Sequence, residues 1–347
     1  MNIILIKDAK RIEEASAIAL ENHIALTRAN PWLPTRALED FIPRIEWMTN
    51  EGTVYGLESG GSLRSFLGWF PLENFRNLGP GALTPDWCVG VRNDANVQRD
   101  GVNAREVSRL ISPLFRRLLE DVKLAGIPVH ALGVPATESA LLDECSLLGY
   151  GRIVLDAARP ASDLLAEIGE PPREFRSSGM STREISPREP ELRIRSATKA
   201  DAPALSELDA KLAKHIGEPP VLMPDAHGST IAEWEEWLGD PEAVTFVAES
   251  SDDVAWRPVG FIKADPPHID VSWFVHGELT LAICGLYVDP TCRGKNLGAR
   301  LVRAIAAHAA ARGRDLVSVD CETHNPEARA FWLSRFKPVT WSFERRF

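Results

Sequence analysis

The chain has 347 residues, a formal net charge of −10, 44% hydrophobic and 25% charged residues, the balance of a globular protein long enough for two domains. Its acidity argues against a nucleic-acid-binding surface, although an acidic pocket would suit a cationic amine. No run of about eighteen apolar residues occurs, and residues 1–6 meet charge at Lys7 and Asp8 too soon for a signal sequence, so no membrane partner is expected and the expected location is cytoplasmic.

Residues 3–6 read as a strand and 12–20 as a helix. Between 160 and 190 stand five prolines, Pro160, Pro171, Pro172, Pro187 and Pro190, with Ser177, Ser178, Gly179, Ser181 and Thr182. That is the composition of a linker, in which 162–168 can still form a short helix. Domains of 1–159 and 191–347 about a linker of 160–190 follow. Beyond it the pattern predicts a strand at 192–195, helices near 202–212 and 230–238, and strands at 244–249, 259–263 and 279–288. A helix, a strand at 316–321, a helix from 325 and a closing strand including 338–343 complete the second half. Each half opens with a strand and a helix. From Ile3 to Ala140 is 137 positions and from Leu192 to Ala328 is 136, with Gly126 and Gly313 before the corresponding strands. Tandem duplication is the simplest account.

The segment 286–299, Leu-Tyr-Val-Asp-Pro-Thr-Cys-Arg-Gly-Lys-Asn-Leu-Gly-Ala, reads as a strand passing through a tight turn into a helix. Pro290 stops the strand, Gly294 and Gly298 permit close backbone approach, and Leu297, Leu301, Val302, Ile305 and Ala309 recur at helical spacing. A helix start offers unpaired N–H groups and partial positive charge, so a diphosphate fits there, with Arg293 and Lys295 as counter-charge. The spacing matches neither a P-loop nor a Gly-x-Gly-x-x-Gly turn.

The order Arg293-x-x-Asn296-x-Gly298 after Val288-x-Pro290 resembles motif A of the GNAT superfamily, the coenzyme-A-dependent N-acetyltransferases, with Asn296 where a glycine is usual. Asn enters left-handed backbone more readily than other non-glycine residues. Asn325-Pro326-Glu327-Ala328-Arg329-Ala330-Phe331-Trp332 is similar to that family's Asn-x-x-Ala-x-x-Phe-Tyr segment. The resemblance implies a mixed α/β fold of two tandem GNAT-like domains, each a largely antiparallel sheet flanked by helices, an organisation similar to mycothiol synthases. It also implies acetyl-CoA as cofactor, held by Leu286, Tyr287, Val288, Arg293, Gly294, Lys295, Asn296, Leu297, Gly298, Ala299, Asn325, Ala328 and Phe331. The first-half counterpart, 91–104, carries Gln98 and Gly101 but has Asn103 for the last glycine, and Asp94 and Asp100 beside it, so that copy reads as degenerate.

In the resembled family an amine attacks the thioester directly, and a base must first take its proton. The positions where that base often stands are Cys284 and Ala282 here, so Glu322, His324 and Asp320 become the catalytic candidates. Trp332 replaces the usual tyrosine and cannot shuttle a proton. Tyr287, by strand alternation, points away from Leu286 and Val288 into packing unless a bulge intervenes. Amine selectivity is expected from 215–228, with Glu218 and Asp225 as cation attractors. The expected acceptor is a small-molecule amine, the chain a monomer or homodimer, and the alternative a non-catalytic acyl-CoA-binding module. Cys88, Cys145, Cys284, Cys292 and Cys321 lack paired or His-partnered spacing, so reduced thiols and no metal are expected.

Overall fold

Apart from one extra strand and a closing helix in the first, the same order of elements recurs in the two halves of the chain. The first runs β1 (Asn2–Leu5), α1 (Ala9–Ala29), α2 (Leu38–Glu51), β2 (Thr53–Ser59), β3 (Ser62–Leu72), β4 (Gly81–Thr84), β5 (Val89–Val91), α3 (Ala104–Leu124), β6 (Val129–Pro135), α4 (Ser139–Leu147) and β7 (Gly151–Pro160), then α5 (Ala161–Glu167). The second runs β8 (Glu191–Ser196), α6 (Ala202–Gly217), α7 (Ile231–Trp237), β9 (Val244–Ser251), β10 (Trp256–Asp265), β11 (Thr280–Val288), α8 (Leu297–Ala311), β12 (Leu316–Glu322), α9 (Pro326–Leu333) and β13 (Lys337–Arg346). This computed structural model describes residues 1–76, 79–92, 104–167, 191–223, 226–251, 255–267 and 272–347. Most of the first-half counterpart of the turn (93–103), most of the linker and Asp225 lie outside the described residues.

Packing divides the chain into two units that do not follow its two halves. Unit 1 comprises Met1–Ala158, His268–Gly277 and Asp320–Phe347, and unit 2 comprises Arg159–Pro267 and Glu278–Val319. In unit 1, β1, β2, β3 and β4 pair antiparallel in succession and β4 pairs β6 in parallel. The closing strand was expected to complete the second half. Instead β13 lies between β6 and β7, antiparallel to both, with Phe343 opposite Leu132 on one side and Arg152 on the other. The cause is apolar. Phe343, fully buried, joins a core built from Leu132, Val134, Tyr150 and the inward stripe of α3, which is Val107, Leu110, Ile111, Leu114, Phe115, Leu118 and Val122. Burying a phenylalanine contributes about 1.5–3 kcal/mol, enough to fix where an extended terminal segment goes. Residues 320–347 thus group with unit 1.

In unit 2 the sheet order is β8, β9, β10, β11, β12, antiparallel except for the parallel pair β11–β12. α5, foreshadowed by the pattern at 162–168, packs on α8 in this unit: Arg303 Nη1 donates to Leu165 O at 2.7 Å and the Ala161 N–H to Asp315 O at 2.9 Å. α8 buries Leu297, Leu301, Val302, Ile305 and Ala309 as its spacing predicts, together with Ala299 and Ala306. Tyr287 is buried among Leu205, Leu208, Trp234, Val247 and Phe261.

Candidate active site

β11 delivers the chain to α8 through a strand end with unusual edges. Its parallel ladder with β12 runs from Thr280↔Leu316 only to Ile283↔Val319. Its antiparallel ladder with β10 continues to Val288. Along 284–288, alternate main-chain groups therefore point away from β10, beyond the end of the β12 ladder. Cys284 is the extra residue of a bulge, because Lys263 pairs with Gly285 and Ala264 with Ile283. The bulge resets the alternation and leaves Leu286 and Val288 half-buried while Tyr287 enters the core.

After Val288 the Asp289 carboxylate accepts from the Thr291 N–H at 3.0 Å and the Thr291 hydroxyl at 2.7 Å, which folds Pro290–Cys292 into a 3-10 turn. Cys292, 5% exposed, fills the space beneath. Arg293 was expected to supply counter-charge; its Nε donates back to Val288 O at 3.1 Å and fastens strand to turn. Gly294 has φ +78° with open space where a Cβ would stand. Asn296 precedes α8 at φ 58°, ψ 16°, the left-handed conformation that a glycine would otherwise supply. Asn296→Val should lower stability by about 1–2 kcal/mol, because a β-branched side chain is strained there, and Asn296→Gly should not; paired thermal melts check this.

The amides of this turn are ready for an anion. The first helical bond of α8 is Arg300 N–H to Asn296 O at 3.1 Å, so the amides of Leu297, Gly298 and Ala299 precede the ladder. Among the described residues, none of the amides from Gly294 to Ala299 donates to a protein acceptor. Residues 293–296 are exposed, Lys295 among them. A diphosphate therefore fits the donors present, and the helix dipole favours it.

The remaining candidates belong to unit 1. Asn325 caps α9, its Oδ1 accepting from the Ala328 N–H at 3.1 Å, and Pro326 opens the helix. Phe331 lies edge-on to buried Trp332, ring centres 4.8 Å apart, and beneath the Arg335 guanidinium at 4.1 Å. Trp332 also packs on Phe336, so it serves packing. Glu322 and His324 are half-buried. Asp320 stays reachable from solvent, yet the surrounding protein, then the neighbouring Glu322, raises its carboxyl to about 6. It is the residue after Val319, where the β11–β12 ladder ends.

Two carboxyls were missed from the sequence. Asp156, on β7 and 9% exposed, is raised to about 8 by burial and then by Asp320. Asp86, fully buried, accepts from the Thr340 hydroxyl at 2.9 Å and the Phe274 N–H at 3.4 Å, and burial raises it to about 7. Each reads in sequence as an isolated acid within an apolar run. Folded Asp86 keeps its proton up to about pH 7, whereas an unfolded Asp loses its own near pH 4. The stability it contributes is thus present at low pH and lost as pH rises through about 7, by up to about 1.4 kcal/mol per unit. Asp86→Asn removes this loss, so its melting temperature relative to the parent should rise between about pH 5 and pH 8.

Comparison with known proteins agrees with this geometry. Over residues 213–336 the chain matches the acetyltransferase (GNAT) family. Its fold is similar to a GCN5-related N-acetyltransferase from Sphaerobacter thermophilus, at 14% identity and TM-score 0.50, covering 99% of this chain and 95% of that one. Weaker likenesses extend to a tandem GNAT protein from the clavulanic acid biosynthesis pathway (13% identity, TM-score 0.42, 99% of this chain and 98% of that one). Another is to a GCN5-related N-acetyltransferase from Kribbella flavida (15% identity, TM-score 0.37, 99% and 71%). No curated protein matches. The motif residues and the strand-turn-helix that carries them lie within residues 213–336, the stretch that matches the acetyltransferase (GNAT) family.

Proposed function

We propose that this protein transfers an acetyl group from acetyl-CoA to the nitrogen of a small-molecule amine, by direct attack and without a covalent enzyme intermediate. The carrying observation is the row of amides from Gly294 to Ala299 that serve no protein acceptor at the start of α8. Those amides, with Lys295, would hold the diphosphate, and the edge of β11 along 284–288 would align the pantetheine arm. The cofactor supplies an activated acyl group. An N–H on that edge would hydrogen-bond the thioester carbonyl oxygen as charge gathers on it.

Asp320 is the residue we assign to the amine's proton. A carboxyl raised to about 6 is mostly ionised at neutral pH and still basic enough to accept a proton. Glu322, beside it, contributes the negative charge that helps set this value. A poised base favours an enzyme over a non-catalytic acyl-CoA-binding module. Thiol release from acetyl-CoA, followed with a chromogenic disulfide across a panel of primary amines, tests the reading. Binding of acetyl-CoA with no amine-dependent thiol release would remove it.

A further inference from the structure

Around Trp273, unit 1 gathers hydrogen-bond donors that meet no acceptor among the described residues, and Asp86 Oδ1 is likewise buried without a partner. Arg44, on α2, places its guanidinium 3.9 Å from the centre of the Trp273 ring and 5.9 Å from that of Trp87. Arg36 places its own 4.3 Å from Trp273. Nη2 of Arg36 donates to Trp273 O at 3.2 Å and His276 O at 2.5 Å, but its buried Nε meets no acceptor. The indole N–H of Trp87, a residue 2% exposed, meets none either. Among the described residues Arg44 makes no hydrogen bond and no ion pair. Asp86 and Asp40 act on it only through space, while burial and the nearby Arg36 weaken its hold on its proton.

Each unserved buried donor costs about 1–3 kcal/mol, and charged ones more. Two guanidiniums stacked on one indole add like-charge repulsion. Two buried donors without an acceptor, beside a half-buried guanidinium on the same indole, are therefore expensive unless an anion completes them. The guanidinium's planar fork matches a carboxylate's two oxygens better than a point charge does, and the indole faces suit a small flat group.

We propose that Arg44, Arg36 and the Trp87 N–H form a recognition site for a carboxylate, so that the acceptor is an amine that also carries a carboxylate group. The naming of the acceptor rests on the acetyl-transfer reading; the anion site itself does not. The fold supports the pairing of ends. Ser272, which immediately precedes Trp273, hydrogen-bonds Asp156, and Asp156 feels the charge of Asp320. Acidic groups for an ammonium and unserved donors for a carboxylate are thus joined through one short segment of unit 1.

The test is a tryptophan-fluorescence titration of the full chain with β-alanine, propionate and propylamine, on the parent, Arg44→Gln and Arg44→Lys. β-Alanine and propionate should give saturable changes and propylamine none. Arg44→Gln should weaken both carboxylates at least tenfold, and Arg44→Lys, which keeps the charge but loses the fork, should weaken them too. Melting temperature and acetyl-CoA affinity of the lysine variant should match the parent. Carboxylates that give no saturation, or bind Arg44→Lys and Arg44→Gln as tightly as the parent, overturn the proposal. If propionate binds and acetyl-CoA does not, the anion site stands and the acetyl-transfer reading falls.

Discussion

Gly298→Glu is expected to weaken acetyl-CoA binding at least about 100-fold, roughly 2.7 kcal/mol, by calorimetry. Gly298 is the second residue of α8, within the run of amides that find no protein acceptor. A carboxylate there occupies the anion position and repels the diphosphate. The same carboxylate interacts favourably with the helix N-terminus, by about 0.3–1 kcal/mol. The melting temperature should therefore hold or rise while binding is lost, which separates this outcome from misfolding. Gly298→Ala, uncharged, should cost much less.

Asp320→Asn should lower kcat by about 10²–10⁴-fold, the usual contribution of a positioned base, with acetyl-CoA affinity unchanged. The pH profile carries the sign. With its carboxyl at about 6, Asp320 is protonated and unable to accept below that pH. Activity should thus fall as pH drops through about 6 and level off above it. Glu322 raises Asp320, so Glu322→Gln should move the acid limb to lower pH. A merely structural role for Glu322 would change the rate and leave the limb in place. Equal kcat for parent and Asp320→Asn would return the proton to another group.

The cradle was legible because it is local. Val288-x-Pro290, Gly294, Asn296 and the stripe from Leu297 to Ala309 specify strand, turn and helix within 22 consecutive positions, and each takes the expected conformation. Tyr287 was legible as a packing residue for the same reason, through its alternation with Leu286 and Val288, whereas the bulge at Cys284 was not. The placement of β13 was not. Its apolar alternation predicts a strand but not which sheet accepts it, and Phe343 packs against residues about 200 positions earlier. Asp86, Asp156 and Trp273 were invisible for that reason. Their meaning comes from contacts such as Thr340 with Asp86 and the Arg44 guanidinium over Trp273, which no spacing rule reports. Local chemistry marks the anion cradle, and only tertiary contacts suggest how the acceptor would be chosen.

The central claim is that main-chain amides at the start of α8 grip a diphosphate. Competitive calorimetry of acetyl-CoA against S-acetylpantetheine, the same thioester arm without the diphosphate, tests it most directly. The account predicts that acetyl-CoA binds at least about 100-fold more tightly and that Gly298→Glu erases this advantage. Equal affinity of the two compounds for the parent protein would contradict it.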